Sequence, residues 1–293
     1  MDFFKIIDQL SEVDADVLGR FDSRRAVFSS LGTAAKRSAL AATPLFLGAL
    51  FQKAYAGTTA TAVEVLNYGL ALELFEQDFY KKVQNSTQYA GATAAEKAAI
   101  DQIKKHEDSH VTLLRGAITG SGGTPVTGVT FKAAVFATLT SFKTGAAAAT
   151  QLGIAQLLED TGVRAYKGRA GELIGTDLLT VALQIHSVEA RHASKIRTMR
   201  GQRAWVNPND DLATHAVYTS GTTVGSNPSQ FGLVVPPYSA ASPTENNTTQ
   251  SGVLITTGLG TTYTASDAAA AFDEYLQGAE VLDNSRAGSL IGA

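Results

Sequence analysis

Two segments of this 293-residue chain each set a glutamate and a histidine three residues apart within an otherwise apolar helical stripe. In the first, Ile100, Ile103, Glu107, His110, Val111 and Leu114 share a face. In the second, Ala182, Ile185, Glu189, His192, Ala193 and Ile196 occupy the same offsets. Positions three and four apart are neighbours on a helix, so each segment offers one carboxylate beside one imidazole. Two further segments carry one glutamate each, Leu66-Glu73-Tyr80 and Leu152-Glu159-Tyr166, every step seven residues. Four carboxylates turned into helical cores restrict the fold severely. Left bare, each would cost several kcal/mol or have to protonate.

The four segments read as four helices, A over 61–86, B over 93–117, C over roughly 144–170 and D from near Asp177 to about Arg200. Thr61-Ala-Val-Glu64 and Thr93-Ala-Ala-Glu96 are capping boxes that would open A and B. Arg197 and Arg200 suit the C-terminal dipole of D. Asn85 to Gly91 is a short polar connection, so A and B should lie antiparallel. Residues 118–130, with Gly120, Gly122, Gly123, Pro125 and Gly128, form a long crossover, and 131–142 has room for a short helix. Glu73 lies about 13 residues before the end of A and Glu107 about 13 after the start of B, roughly 20 Å in each case. Glu159 and Glu189 stand at matching distances of about 11 and 12 residues in the second hairpin. All four therefore meet at one height. The expected architecture is an all-α four-helix bundle over 57–205 with an irregular extension over 206–293. Within that extension, Gly252-Val-Leu-Ile-Thr256 reads as strand or extended coil and Ser266–Leu282 as short terminal helices.

Two divalent cations would offset the buried negative charge. Carboxylate and imidazole ligands suit iron or manganese, and zinc is compatible. With no cysteine in the chain, thiolate sites, Fe–S clusters and disulfides are excluded. A net charge of −3 and the lack of any basic stripe argue against a nucleic-acid partner. At the N-terminus, Ser23-Arg-Arg-Ala-Val-Phe28, the apolar Ser38–Phe51 and Ala54-Tyr55-Ala56 resemble a twin-arginine export signal over 1–56. That apolar run is too short for a stable membrane span. The expected location is periplasmic or exported, with retention of 1–56 as an amphipathic helix in a cytoplasmic protein the alternative.

One Glu from each of two helices plus Glu-x-x-His from the other two is the signature of the ferritin-like superfamily. The phrases Leu70-Ala-Leu-Glu-Leu-Phe-Glu-Gln-Asp-Phe-Tyr80, Glu159-Asp-Thr-Gly-Val-Arg-Ala-Tyr-Lys-Gly168 and Ala271-Phe-Asp-Glu274 resemble bacterial ferritin-like domain proteins related to plant desiccation-related proteins. The resemblance implies metal ligands at Glu73, Glu107, His110, Glu159, Glu189 and His192, holding two Fe or two Mn ions that react with O₂ or peroxide. Ferroxidase, peroxidase and catalase-like activities are all open, as is oligomerisation. The alternative is a non-catalytic stress, structural or binding protein of the cell envelope that uses the bundle as a scaffold. A mineral-storing cage fits less well, because the long tail is awkward for a closed shell. Tyr80 and Tyr166 are candidates to hydrogen-bond the site or relay an electron, against the plainer reading of core aromatics. Glu76, also within reach, is read as a residue that supports the ligands from just outside them or as a surface residue, with Glu73 preferred as ligand because its spacing to Tyr80 matches that of Glu159 to Tyr166. His106-Glu107-Asp-Ser-His110 fits the His-Glu-x-x-His pattern of zinc proteases, but that reading leaves Glu73, Glu159, Glu189 and His192 unexplained. In the bundle reading His106 faces elsewhere. His186 and His215 should be solvated or locally satisfied, and Lys104-Lys105 and Arg197–Arg200 should be solvated faces.

Overall fold

The computed structural model describes residues 59–219, 232–235, 241–250, 253–256, 264–283 and 286–292. The expected export signal, 1–56, lies outside the described residues, as do parts of the tail. Four long helices dominate: α1 (Thr59–Gln84), α3 (Ala94–Gly120), α5 (Gln151–Ala170) and α6 (Asp177–Met199). Between the first two lies the single turn α2 (Thr87–Ala90). The crossover carries β1 (Thr130–Phe131) and α4 (Ala133–Phe136), and the tail carries β2 (Thr249–Gln250), β3 (Val253–Leu254), α7 (Ala265–Ala269), α8 (Gly278–Val281) and β4 (Ile291–Gly292).

Local chemistry explains most of the boundaries. The Thr93–Glu96 capping box opens α3, with Thr93 N donating to Glu96 Oε2 at 2.8 Å and Glu96 N to Thr93 Oγ1 at 3.3 Å. The box expected at Thr61 does not open α1. That helix begins two residues earlier, where neither Thr59 nor Ala60 is a helix breaker, so Thr61 lies inside it. Helix α5 starts later than the alanine-rich run suggests. Gly145, at φ +127°, takes a backbone that L side chains avoid, and the chain turns there. Thr150 then caps α5 through Gly153 N (3.0 Å), while the Gln151 and Leu152 amides donate to the Ser141 and Phe142 carbonyls at 3.0 and 2.9 Å.

Helix α1 packs chiefly on α3, and α5 on α6. Helices α3 and α6 are amphipathic, whereas α1 and α5 are buried nearly all round, which requires cover on their outer sides. Over α1, Phe75 and Phe79 meet Phe131 of β1 with ring centroids 5.3 and 5.1 Å apart, and β1 pairs antiparallel with β4 from the far end of the tail. Over α5, the tail is fastened by Arg164. Its guanidinium pairs with Glu245 at 2.8 Å and donates to the carbonyls of Val217, Pro243, Glu274 and Tyr275. Gly168 lets the tail approach, since a Cβ there would stand 1.8 Å from the Leu276 carbonyl oxygen.

The expectation of a solvated Arg197–Arg200 face fails for the same reason. Arg197 is 1% exposed and bonded to Asp160, Asp210 and Tyr218, and Arg200 pairs with Asp211 at 2.7 Å. The tail segment after Gly201 folds back over the end of α6 and supplies Asp210, Asp211 and Tyr218, while Asp160 comes from α5. Lys104 pairs with Asp108 on the outer side of α3, in keeping with a solvated face. Among the described residues, no helix is long and apolar enough to cross a membrane.

Candidate metal centre

The structure brings all six expected residues together at mid-bundle. Two quartets form, Glu73, Glu107, His110 and Glu189, and Glu107, Glu159, Glu189 and His192, each with candidate ligand atoms within 4.8 Å of one another. All six residues are buried. Glu107 and Glu189 belong to both quartets, whereas Glu73 with His110 and Glu159 with His192 belong to one each. Both histidines turn Nδ1 inward. His110 Nδ1 lies 3.0 Å from Glu73 and 3.3 Å from both Glu107 and Glu189. His192 Nδ1 lies 2.9 Å from Glu107 and 3.2 Å from Glu159.

Tyr80 and Tyr166 complete the frame crosswise. Tyr80 on α1 donates to Glu159 on α5, and Tyr166 on α5 donates to Glu73 on α1. As numbers rise along one helix they fall along the other, so α1 and α5 run antiparallel and the centre has an approximate twofold. Burial first, then the adjacent glutamate charges, push both phenols well above their ordinary range, which keeps them as donors.

Sequence reasoning misplaced His106 and left Glu76 between a supporting position and the surface. Glu76 is 3% exposed, which fits the first. On the twofold its counterpart is Gly162, and a Cβ at Gly162 would lie 3.5 Å from Glu76 Oε1 and 3.1 Å from Glu189 Oε2. A glycine on one helix thus leaves room for a fifth carboxylate from the other. His106 does not face elsewhere: its Nδ1 lies 2.9 Å from Nε2 of His192. The offsets 76 and 162 within the repeated phrases carried a signal for Glu76. Nothing within one helix signals His106, which lies about 100° round from the apolar stripe. His186 and His215 are locally satisfied as expected, by the Val163 carbonyl and the Val217 amide.

The charge balance tests whether metal fits. Five buried carboxylates surround two imidazoles. Burial, then repulsion from Glu73, pushes Glu107 up to about 7. Burial and the neighbouring glutamates push Glu189 and Glu76 well above the usual carboxylate range. Glu73 goes the other way, because the His110 hydrogen bond and charge outweigh its burial. Burial opposes charge on His192 too, yet the surrounding glutamates raise it to about 11. Among the described residues, Glu107 Oε1 and both Glu189 oxygens lack a well-aligned hydrogen-bond donor, although histidine nitrogens stand close to two of them. A core that holds protons on its carboxylates and leaves acceptor oxygens unmatched is short of positive charge. Bound metal cations would supply it, and the residues present fit such ions.

A small, mostly apolar cavity of about 20 Å³ lies beside Tyr166, walled also by Leu66, Tyr68, Leu72, Leu114 and Ala182, and none of the six candidate ligands lines it.

A four-helix bundle with a buried carboxylate–histidine cluster of this twofold form is compatible with a metal-binding bundle of the carboxylate type. Residues 61–202 match the ferritin-like domain family, which supports a ferritin-like bundle over that segment. No curated protein matches the chain.

Proposed function

We propose that the bundle holds two Fe or two Mn ions and performs redox chemistry with O₂ or peroxide. The observation that carries this reading is the pair of buried quartets sharing Glu107 and Glu189. Glu73 and His110 would hold one ion, Glu159 and His192 the other, and the shared glutamates both. Bound there, the ions supply the electrons exchanged with the reactant. The protein's own groups do the rest. The glutamates neutralise the ions, Tyr80 and Tyr166 fix Glu159 and Glu73, and burial of the six residues excludes bulk water.

Oxygen uptake and peroxide breakdown by protein reconstituted anaerobically with Fe(II) or Mn(II) test the reading. Turnover no greater than that of the free ions would sink it. Chelation that leaves thermal stability unchanged would favour the non-catalytic envelope role, with the tail as working surface. Export by the twin-arginine route suits a metalloprotein, since that route carries folded chains. It rests on Arg24-Arg25 and Ala54-Tyr55-Ala56, and detection of the mature protein only in cytosol would refute it. The phrases similar to desiccation-related proteins fit a protective role under stress.

A further inference from the structure

We propose that His106 is a positioning residue for His192, and that it makes the ion position of Glu107, Glu159, Glu189 and His192 the tighter of the two. The inference rests on the dinuclear reading above.

His192 presents Nδ1 to the carboxylates, 2.9 Å from Glu107 and 3.2 Å from Glu159, so Nδ1 is its ligand atom. A neutral imidazole that offers the Nδ1 lone pair carries its hydrogen on Nε2. That Nε2 lies 2.9 Å from His106 Nδ1. The two ring planes are within 10° of each other and the centroids 5.1 Å apart. Such a separation is what an in-plane N–H···N bond of this length gives, so the rings meet edge to edge rather than face to face. His106 Nδ1 is then the acceptor, and the His106 hydrogen sits on Nε2. Nε2 is 2.7 Å from the Gln102 side-chain amide, one turn back on α3, whose oxygen accepts once the amide is turned to face it. Gln102, His106 and His192 form a chain that fixes the tautomer and ring plane of one ligand. Outer partners of this kind orient a ligand histidine and raise its basicity.

The twofold has no equivalent on the other side. His106 precedes Glu107, and the matching position before Glu189 is Val188, a hydrocarbon. His110 therefore receives no such partner from α6, and its described polar contacts all run through Nδ1 to glutamates. The two ion positions share Glu107 and Glu189 and use the same donor types. Besides Glu76, whose counterpart on the twofold is Gly162, they differ in this outer hydrogen bond.

The test is Mn(II) binding to the full chain under anaerobic conditions, by calorimetric titration and by competition with a chelator of known affinity. Wild type is compared with His106→Leu, which removes the acceptor, and His106→Gln, which keeps one. Two unequal binding steps are expected in wild type. His106→Leu should weaken one of them about 10–100-fold and leave the other in place. His106→Gln should recover most of that loss. His106 is only partly buried, so folding should survive, and metal-free melting curves check it. Should the leucine variant fail to fold, His106→Ala takes its place. Two unchanged steps in the variant, an equal loss at both, or no recovery with glutamine would each overturn the proposal. A wild type that binds no Mn(II) or Fe(II) would instead overturn the dinuclear reading on which it rests.

Discussion

Replacing Arg164 with methionine should loosen the tail from the bundle. Arg164 is 1% exposed and meets Glu245, itself 4% exposed, at 2.8 Å while donating to four tail carbonyls. Methionine keeps much of the volume but leaves a buried carboxyl and several carbonyls without their donor. Breaking one side of a buried pair costs about 3–5 kcal/mol. At about 2–4 °C per kcal/mol for a domain of this size, Tm should fall by about 6–20 °C. The loss should also depend on pH. Burial raises Glu245 to about 8 even with Arg164 beside it. A carboxyl raised above its unfolded value takes stability away as pH rises from that value through the folded one. Without Arg164 its pKa rises further, so variant and wild type part only as pH passes about 8, and the deficit should be larger at pH 9.5 than at pH 6. Thermal melts at both pH values read the deficit, and limited proteolysis with mass spectrometry locates the released segment. A Tm change within about 2 °C at pH 9.5, with unchanged protection beyond residue 201, would refute the view that Arg164 fastens the tail.

Two further outcomes follow from the same structure. Gly168→Ala would place a Cβ 1.8 Å from the Leu276 carbonyl oxygen, and should lower Tm while leaving metal binding intact; calorimetry and metal analysis read both. The Tm gain from Mn(II) should grow between pH 5.5 and 7.5. Without metal, Glu107 is raised to about 7 and His192 to about 11, so each takes stability away with rising pH, the first from its unfolded value to about 7 and the second from about 6.5 to 11. Bound ions need these groups deprotonated, so affinity rises over the same range. Melts with and without EDTA check the sign.

The six candidate ligands were legible because a helical period fixes which residues share a face, and the helix lengths fix their height. Tyr80 and Tyr166 were legible as partners from their seven-residue offsets, but not that each serves the other helix's glutamate, which depends on how α1 and α5 are set side by side. Glu76 stayed open between a supporting position and the surface because its burial depends on a missing side chain elsewhere, at Gly162. His106 was misjudged because only the antiparallel placement of α3 and α6 brings it to His192. Arg164 and Arg197 lie under a tail without periodicity, and nothing in their own helices announces what covers them. The late start of α5 turns on Gly145 and on carbonyls of Ser141 and Phe142, which the alanine-rich composition of that stretch conceals.

The most direct test is the metal content of natively purified protein by mass spectrometry, alongside a Glu107→Ala/Glu189→Ala double variant that removes both shared carboxylates. About two Fe or Mn per chain, lost in the double variant, is the predicted result. Only trace metal in the native protein, persisting after anaerobic reconstitution with Fe(II) and Mn(II), would contradict the dinuclear centre and turn the search for function to the tail.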